Sequence, residues 1–137
     1  MATYHVDEMS FAVPDGWIDR SIHLFSKPEG TISLNLTRDD LKGEAIGPYV
    51  AKQLKELAAK MTRFLVIGQR ARAIGTLQGY EARMQWAPQA TLYYQHQVYA
   101  PYYGTALIFT VTGPKQLTAQ CDAYLEKTIA NIKFRKQ

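Results

Sequence analysis

Between Thr31 and Arg38 apolar and polar residues alternate without a break: Ile32, Leu34 and Leu36 against Thr31, Ser33, Asn35 and Thr37. A period of two over eight residues is a strong sign of a strand with one apolar face. Ser21 to Ser26 alternates too, with Ile22 and Leu24 facing one way and His23 and Phe25 the other. Lys27 to Gly30 reads as the turn between the two runs, so together they predict a hairpin. Met9 to Val13 predicts a short strand that ends at the turn Pro14-Asp15-Gly16.

The period then changes. From about Gly47 to Met61 the apolar residues Val50, Leu54, Leu57, Ala58 and Met61 recur at helical spacing, with Pro48 tolerated in the first turn. Lys52, Lys55, Glu56 and Lys60 fall mainly on the other side. Strand-like runs resume at Phe64 to Leu77, Tyr80 to Trp86, Leu92 to Tyr99 and Thr105 to Val111. The first is long enough to bend near Gly68 or Gly75, and Gln78-Gly79 reads as the turn that follows it. A last helix is predicted from about Pro114 to Asn131, burying Leu117, Cys121, Leu125, Thr128, Ile129 and Ile132. The order β–β–β–α–β–β–β–β–α with short turns implies an α+β fold, a mostly meandering antiparallel sheet packed with two main helices. Phe11, Trp17 and Trp86 are expected in its core. At 137 residues the whole chain, 1–137, fits one domain.

Composition narrows function mainly by exclusion. The net charge is +4, but Arg63, Arg70, Arg72 and Arg83 are spread over strands and Lys52, Lys55 and Lys60 over a helix. Nucleic-acid binders concentrate such charge on one stripe, so no nucleic-acid partner is expected. One cysteine, Cys121, permits no internal disulfide and suits a reducing compartment. No apolar run approaches the roughly 20 residues of a membrane span, and no signal peptide is legible at Met1 to Asp7, so a cytoplasmic location is expected.

No arrangement for catalysis stands out. His5, His23 and His96 have no second ligand at metal spacing, and neither HExxH nor CxxC occurs, so no metal or other cofactor is expected. There is no GxSxG, and Cys121 belongs to a helix stripe, where a free cysteine packs as a small apolar residue. Gly43 to Gly47 lacks the GK[ST] of a phosphate loop. Nine tyrosines against five phenylalanines suit half-buried binding surfaces, and equally suit strands. The residues favour binding over catalysis.

Phe11-Ala12-Val13-Pro14-Asp15-Gly16-Trp17-Ile18-Asp19-Arg20-Ser21 resembles the N-terminal signature of DcrB-like domains with a Mog1/PsbP-type fold, in particular the Eag chaperones of type VI secretion effectors. Further similarity follows in order: Leu34 to Asp39, then Tyr49-Val50 with Gln53-Leu54 and Leu57, then Gly79, Trp86 and Gln95-His96-Gln97. The resemblance implies a dimeric cytoplasmic chaperone. It would bind the N-terminal transmembrane helices of a PAAR-containing effector before export, without inserting stably into a membrane. Under that reading Ile22, Leu24 and Leu34 supply apolar contacts, Leu65 and Leu92 extend them, and Gln53, Gln95 and Gln97 bond to polar client groups. The same apolar residues are also what ordinary core packed under the two helices would show. Asp19 and Arg20 match the signature and read as turn residues. A module of the same fold with another partner, such as the GTPase bound by Mog1-like proteins, is the alternative. A small enzyme or ligand carrier would instead show His96 or His23 beside a carboxylate in a deep polar pocket.

Overall fold

The computed structural model describes residues 2–5, 9–16 and 22–135. Within them a two-stranded sheet pairs β1 (Ala2–His5) with β2 (Ser10–Val13). The principal sheet contains β3 (His23–Ser26), β4 (Ser33–Asp40), β5 (Leu65–Ile74), β6 (Leu77–Trp86), β7 (Tyr93–Tyr102) and β8 (Thr105–Pro114). Its strand order is β3-β4-β8-β7-β6-β5, antiparallel throughout. Strands β5 to β8 form the expected meander, and the predicted hairpin β3–β4 joins it by pairing β4 with β8.

Two helices complete the fold, α1 (Ile46–Lys60) and α2 (Thr118–Ala130), the second entered through a 3-10 turn at Lys115–Leu117. They lie on opposite faces of the sheet. Tyr49, Val50 and Leu54 of α1 pack on Ala82, Met84, Tyr99 and Ala106. Cys121, Leu125 and Ile129 of α2 pack on Tyr94, Val98, Val111 and Ile74 from the other side. Period-two alternation therefore splits each central strand between two cores: on β7, Val98 serves one and Tyr99 the other.

Several sequence expectations change. The β5–β6 hairpin turns at Gly75-Thr76, not at Gln78-Gly79. Gly75 has φ +59°, which suits the first position of a two-residue hairpin turn. Gly79 lies inside β6, where a Cβ would come within 2.4 Å of the Tyr99 carbonyl oxygen and 2.1 Å of Ile74 Cδ1. Its glycine marks a close approach rather than a turn. Strand β2 pairs with β1, which the sequence reading missed, instead of joining the main sheet. Phe11 is 46% exposed and not a core residue, because it sits on this small separate sheet. Trp86 is half-buried, stacked on Tyr93 at 5.7 Å between ring centroids. Ala58 is exposed and Met61 lies past the helix end, so the buried stripe of α1 is shorter than predicted. Trp17, Asp19 and Arg20 lie outside the described residues.

Candidate functional site

Helix α1 covers the half of its sheet face that belongs to β5, β6 and the ends of β7 and β8. Register defines what occupies the other half. Reading across β3, β4, β8 and β7 on the α1 side, one row is Leu24, Asn35, Thr110 and Gln97. The next is Ser26, Ser33, Thr112 and Gln95. Ile22 precedes β3 with the parity of Leu24. The result is a floor of hydroxyls and amides, bounded by α1 at one side and by aliphatic side chains at the β3 edge.

The floor is knitted together. Gln95 Nε2 donates to Thr112 Oγ1 at 3.1 Å, and Gln97 Nε2 to Thr110 Oγ1 at 3.3 Å. The Tyr99 hydroxyl donates to Gln97 Oε1. Asn35 is the exception: its Oδ1 is shielded from solvent and accepts no hydrogen bond. An unpaired buried acceptor costs about 1–3 kcal/mol, so a donor brought to this place would be well received. At the far end Tyr49 Oη donates to Asp39 Oδ2 at 2.5 Å, tying α1 to β4. Burial first, then the Asp39 carboxylate, push the Tyr49 phenol well above its ordinary range.

The edge strand is unusually greasy. Ile22 is 67% exposed, Leu24 66% and Phe25 61%. Ile22 and Leu24 border the floor, whereas Phe25 stands on the α2 side. There a trough of about 340 Å³ runs between β3–β4 and α2, lined by Phe25, Ile32, Leu34, Val111, Tyr124 and Thr128 among others.

The eight residues expected to meet a client are thus not all brought together. Ile22, Leu24, Gln95 and Gln97 share the floor, and Gln53 lies on α1 in a cleft with Asp39 and Tyr49 beside it. Leu34 pairs with Val111 and turns toward α2. Leu65, 55% exposed, sits on the opposite edge strand, pairs with Gln85 and borders a cleft with Leu54 and Ala58 of α1. Leu92 is half-buried just before β7, its carbonyl accepting from the Lys115 N–H. Asn35, Thr110 and Thr112 were missed. Their polar positions on the strands were the available signal.

A second polar feature lies on the α2 side, in a cleft of about 380 Å³. His96 is buried, with Nδ1 2.9 Å from Asp122 Oδ1 and Nε2 2.9 Å from Glu81 Oε2. Arg72 Nη1 donates to Glu81 at 2.9 Å, and its two terminal nitrogens reach Glu126 at 2.6 and 2.9 Å. Arg70 also pairs with Glu81. Burial alone would raise the Glu81 carboxyl; hydrogen bonds from His96, Arg72 and Arg70 outweigh it and hold it down at about 2. Tyr94 Oη donates to Asp122 at 2.5 Å.

This is the histidine-beside-carboxylate pocket that would speak for an enzyme, but its chemistry is spent internally. Both imidazole nitrogens face carboxylates, so neither is left for a substrate proton. Glu81, His96 and Glu126 also bring ligand atoms within 4.8 Å of one another, yet Arg72 pairs with both carboxylates and Arg70 with that of Glu81. A cation would have to displace guanidinium groups. The network fastens α2 to β5, β6 and β7.

Residues 8–131 match the DcrB family. The chain belongs to the DcrB family. This DcrB-family chain is also 33% identical, over 69 residues, to the protein named Effector EagT6 of Pseudomonas aeruginosa; the match takes in 47% of this chain and 48% of that one. It therefore spans about half the length of that curated relative. A crystal structure of a protein of unknown function from Pseudomonas aeruginosa shares the fold, with a TM-score of 0.82 at 23% identity over 100% of this chain and 99% of that one. The yeast Ran-binding protein Mog1p, from Saccharomyces cerevisiae, is a remote likeness: TM-score 0.47, 17% identity, 90% of this chain and 84% of that one. Likeness at that level carries no function across.

Proposed function

We propose that this DcrB-family protein is a cytoplasmic chaperone for a PAAR-containing effector of a type VI secretion system, working as a homodimer. It covers the effector's N-terminal transmembrane helices before export. A helix built for a bilayer carries about 20 apolar residues and aggregates in water unless covered. The observation that carries the reading is the half of the sheet face left free by α1. It joins the exposed Ile22 and Leu24 to a floor of Asn35, Thr110, Thr112, Gln95 and Gln97. Transmembrane helices associate through close packing and side-chain hydrogen bonds, and this face offers both. The partial likeness to Effector EagT6 and the signature from Phe11 to Ser21 support the same reading. None of the described helices is long and apolar enough to cross a membrane, in keeping with a carrier that does not itself insert.

The test is co-expression with the N-terminal fragment of the effector encoded beside it. Ile22→Asp with Leu24→Asp abolishes co-purification without lowering the melting temperature, because both side chains already face water. Leu65→Asp, at the far edge, leaves capture intact. Capture that survives in the folded double variant overturns the reading.

A further inference from the structure

We infer that the polar cleft on the α2 side binds a carboxylate at its mouth, held by the guanidinium groups of Arg83 and Arg70. Helix α2 packs on β7 and β8. The row Gly68, Arg83 and His96 therefore runs inward from the β5 edge of the sheet, and the cleft of about 380 Å³ lies over it.

The deep end of the cleft is electrically complete. Arg72 pairs with Glu81 and Glu126, and His96 lies between Glu81 and Asp122. The mouth is not. Arg83 is half-buried and forms no ion pair among the described residues. It bears on the Tyr94 hydroxyl, whose proton already goes to Asp122. Arg70 uses only Nε on Glu81, and its side chain is 70% exposed. A guanidinium presents five donors in a flat fork, so most of this capacity is unused.

A partly buried cation with no counter-ion is unfavourable, yet the strand beside it is shaped to keep it there. Strand β5 has a bulge between Val66 and Gly68, and bulges re-aim side chains beside binding sites. Gly68 pairs with Arg83, and a Cβ there would stand 3.2 Å from Arg83 Nη2. Glycine thus leaves the guanidinium its place over β5.

The charge balance selects the ligand. Arg70, Arg72 and Arg83 stand against Glu81, Asp122 and Glu126, so the cleft has no large positive excess to hold a dianion. A carboxylate carries one charge, and its plane matches one guanidinium fork. A free organic acid and an acidic side chain of a polypeptide share that chemistry.

The site is tested on the purified full chain at pH 7 and constant ionic strength, following the arginine Nε–H signals by NMR. Sodium butyrate and the capped tripeptide acetyl-Ala-Glu-Ala-amide are the probes, with sodium phosphate for comparison. Arg83 and Arg70 should shift saturably with a carboxylate, and Arg38 on β4 should not. Arg83→Lys keeps the charge without the fork and should weaken binding about tenfold, whereas Lys55→Gln on α1 should leave it unchanged. Tighter binding of the tripeptide assigns the site to a polypeptide side chain, and tighter binding of butyrate assigns it to a free acid. The inference is overturned by the absence of a saturable shift at Arg83, by equal shifts at Arg38 or by unchanged affinity in Arg83→Lys. Phosphate bound more tightly than either carboxylate overturns it too.

Discussion

Asn35 concentrates the tension between stability and binding in one side chain. Its Oδ1 is buried without a donor, and its neighbours across the strands are Leu24 and Thr110. Asn35→Val removes the unpaired acceptor and adds a better strand residue. It should raise unfolding stability by about 1–3 kcal/mol in urea titrations while weakening effector capture. Glu81 is the opposite case, a buried charge with every partner in place. Its carboxyl titrates at about 2 in the fold against an ordinary 4.5. A lowered value means stability that is complete above about pH 4.5 and is lost as pH falls toward 2. Glu81→Gln should flatten the acid limb of a stability-against-pH curve in that window. Glu81→Ala at neutral pH should cost about 3–5 kcal/mol, since it breaks a buried ion pair and takes a carboxylate partner from Arg72, Arg70 and His96 Nε2.

Helix α2 shows how an element with weak local signals is held by its surroundings. It has no side-chain N-cap and no acidic residue in its first turn. Its stability must come from packing. Cys121, Leu125 and Ile129 are buried on one side, and Asp122 and Glu126 reach His96, Tyr94 and Arg72. Leu125→Ala should cost about 2–5 kcal/mol, read from denaturant midpoints. Strand β6 depends on a glycine in a similar way. Gly79→Ala forces a methyl against the Tyr99 carbonyl on the neighbouring strand, which cannot yield without breaking the ladder. A loss of about 1–3 kcal/mol is expected, whereas the exposed Thr76→Ala in the preceding turn should be nearly neutral.

At the scale of the molecule the two sheet faces have different tasks. One face carries α2 and its ionic network, with the trough beside β3; the other carries α1 over one half and a polar floor with an aliphatic rim over the rest. If the chain works as the proposed homodimer, folding and association are linked by mass action. The melting temperature of the native chain should then rise with protein concentration in calorimetry.

Sequence alone determined the element types, because period two at Thr31 to Arg38 and helical spacing at Val50 to Leu57 are properties of the chain itself. It also put Ile22 and Leu24 on one face, since alternation gives residues two apart the same side. The tertiary structure decided what lies over each face. Leu34 and Leu24 look alike in sequence, yet one turns toward α2 and the other, 66% exposed, borders the polar floor. The turn at Gly75 and the close approach at Gly79 were likewise interchangeable as letters. Periodicity fixes which side chains share a face, but which face stays uncovered depends on where distant helices settle, and that follows only from packing the whole chain.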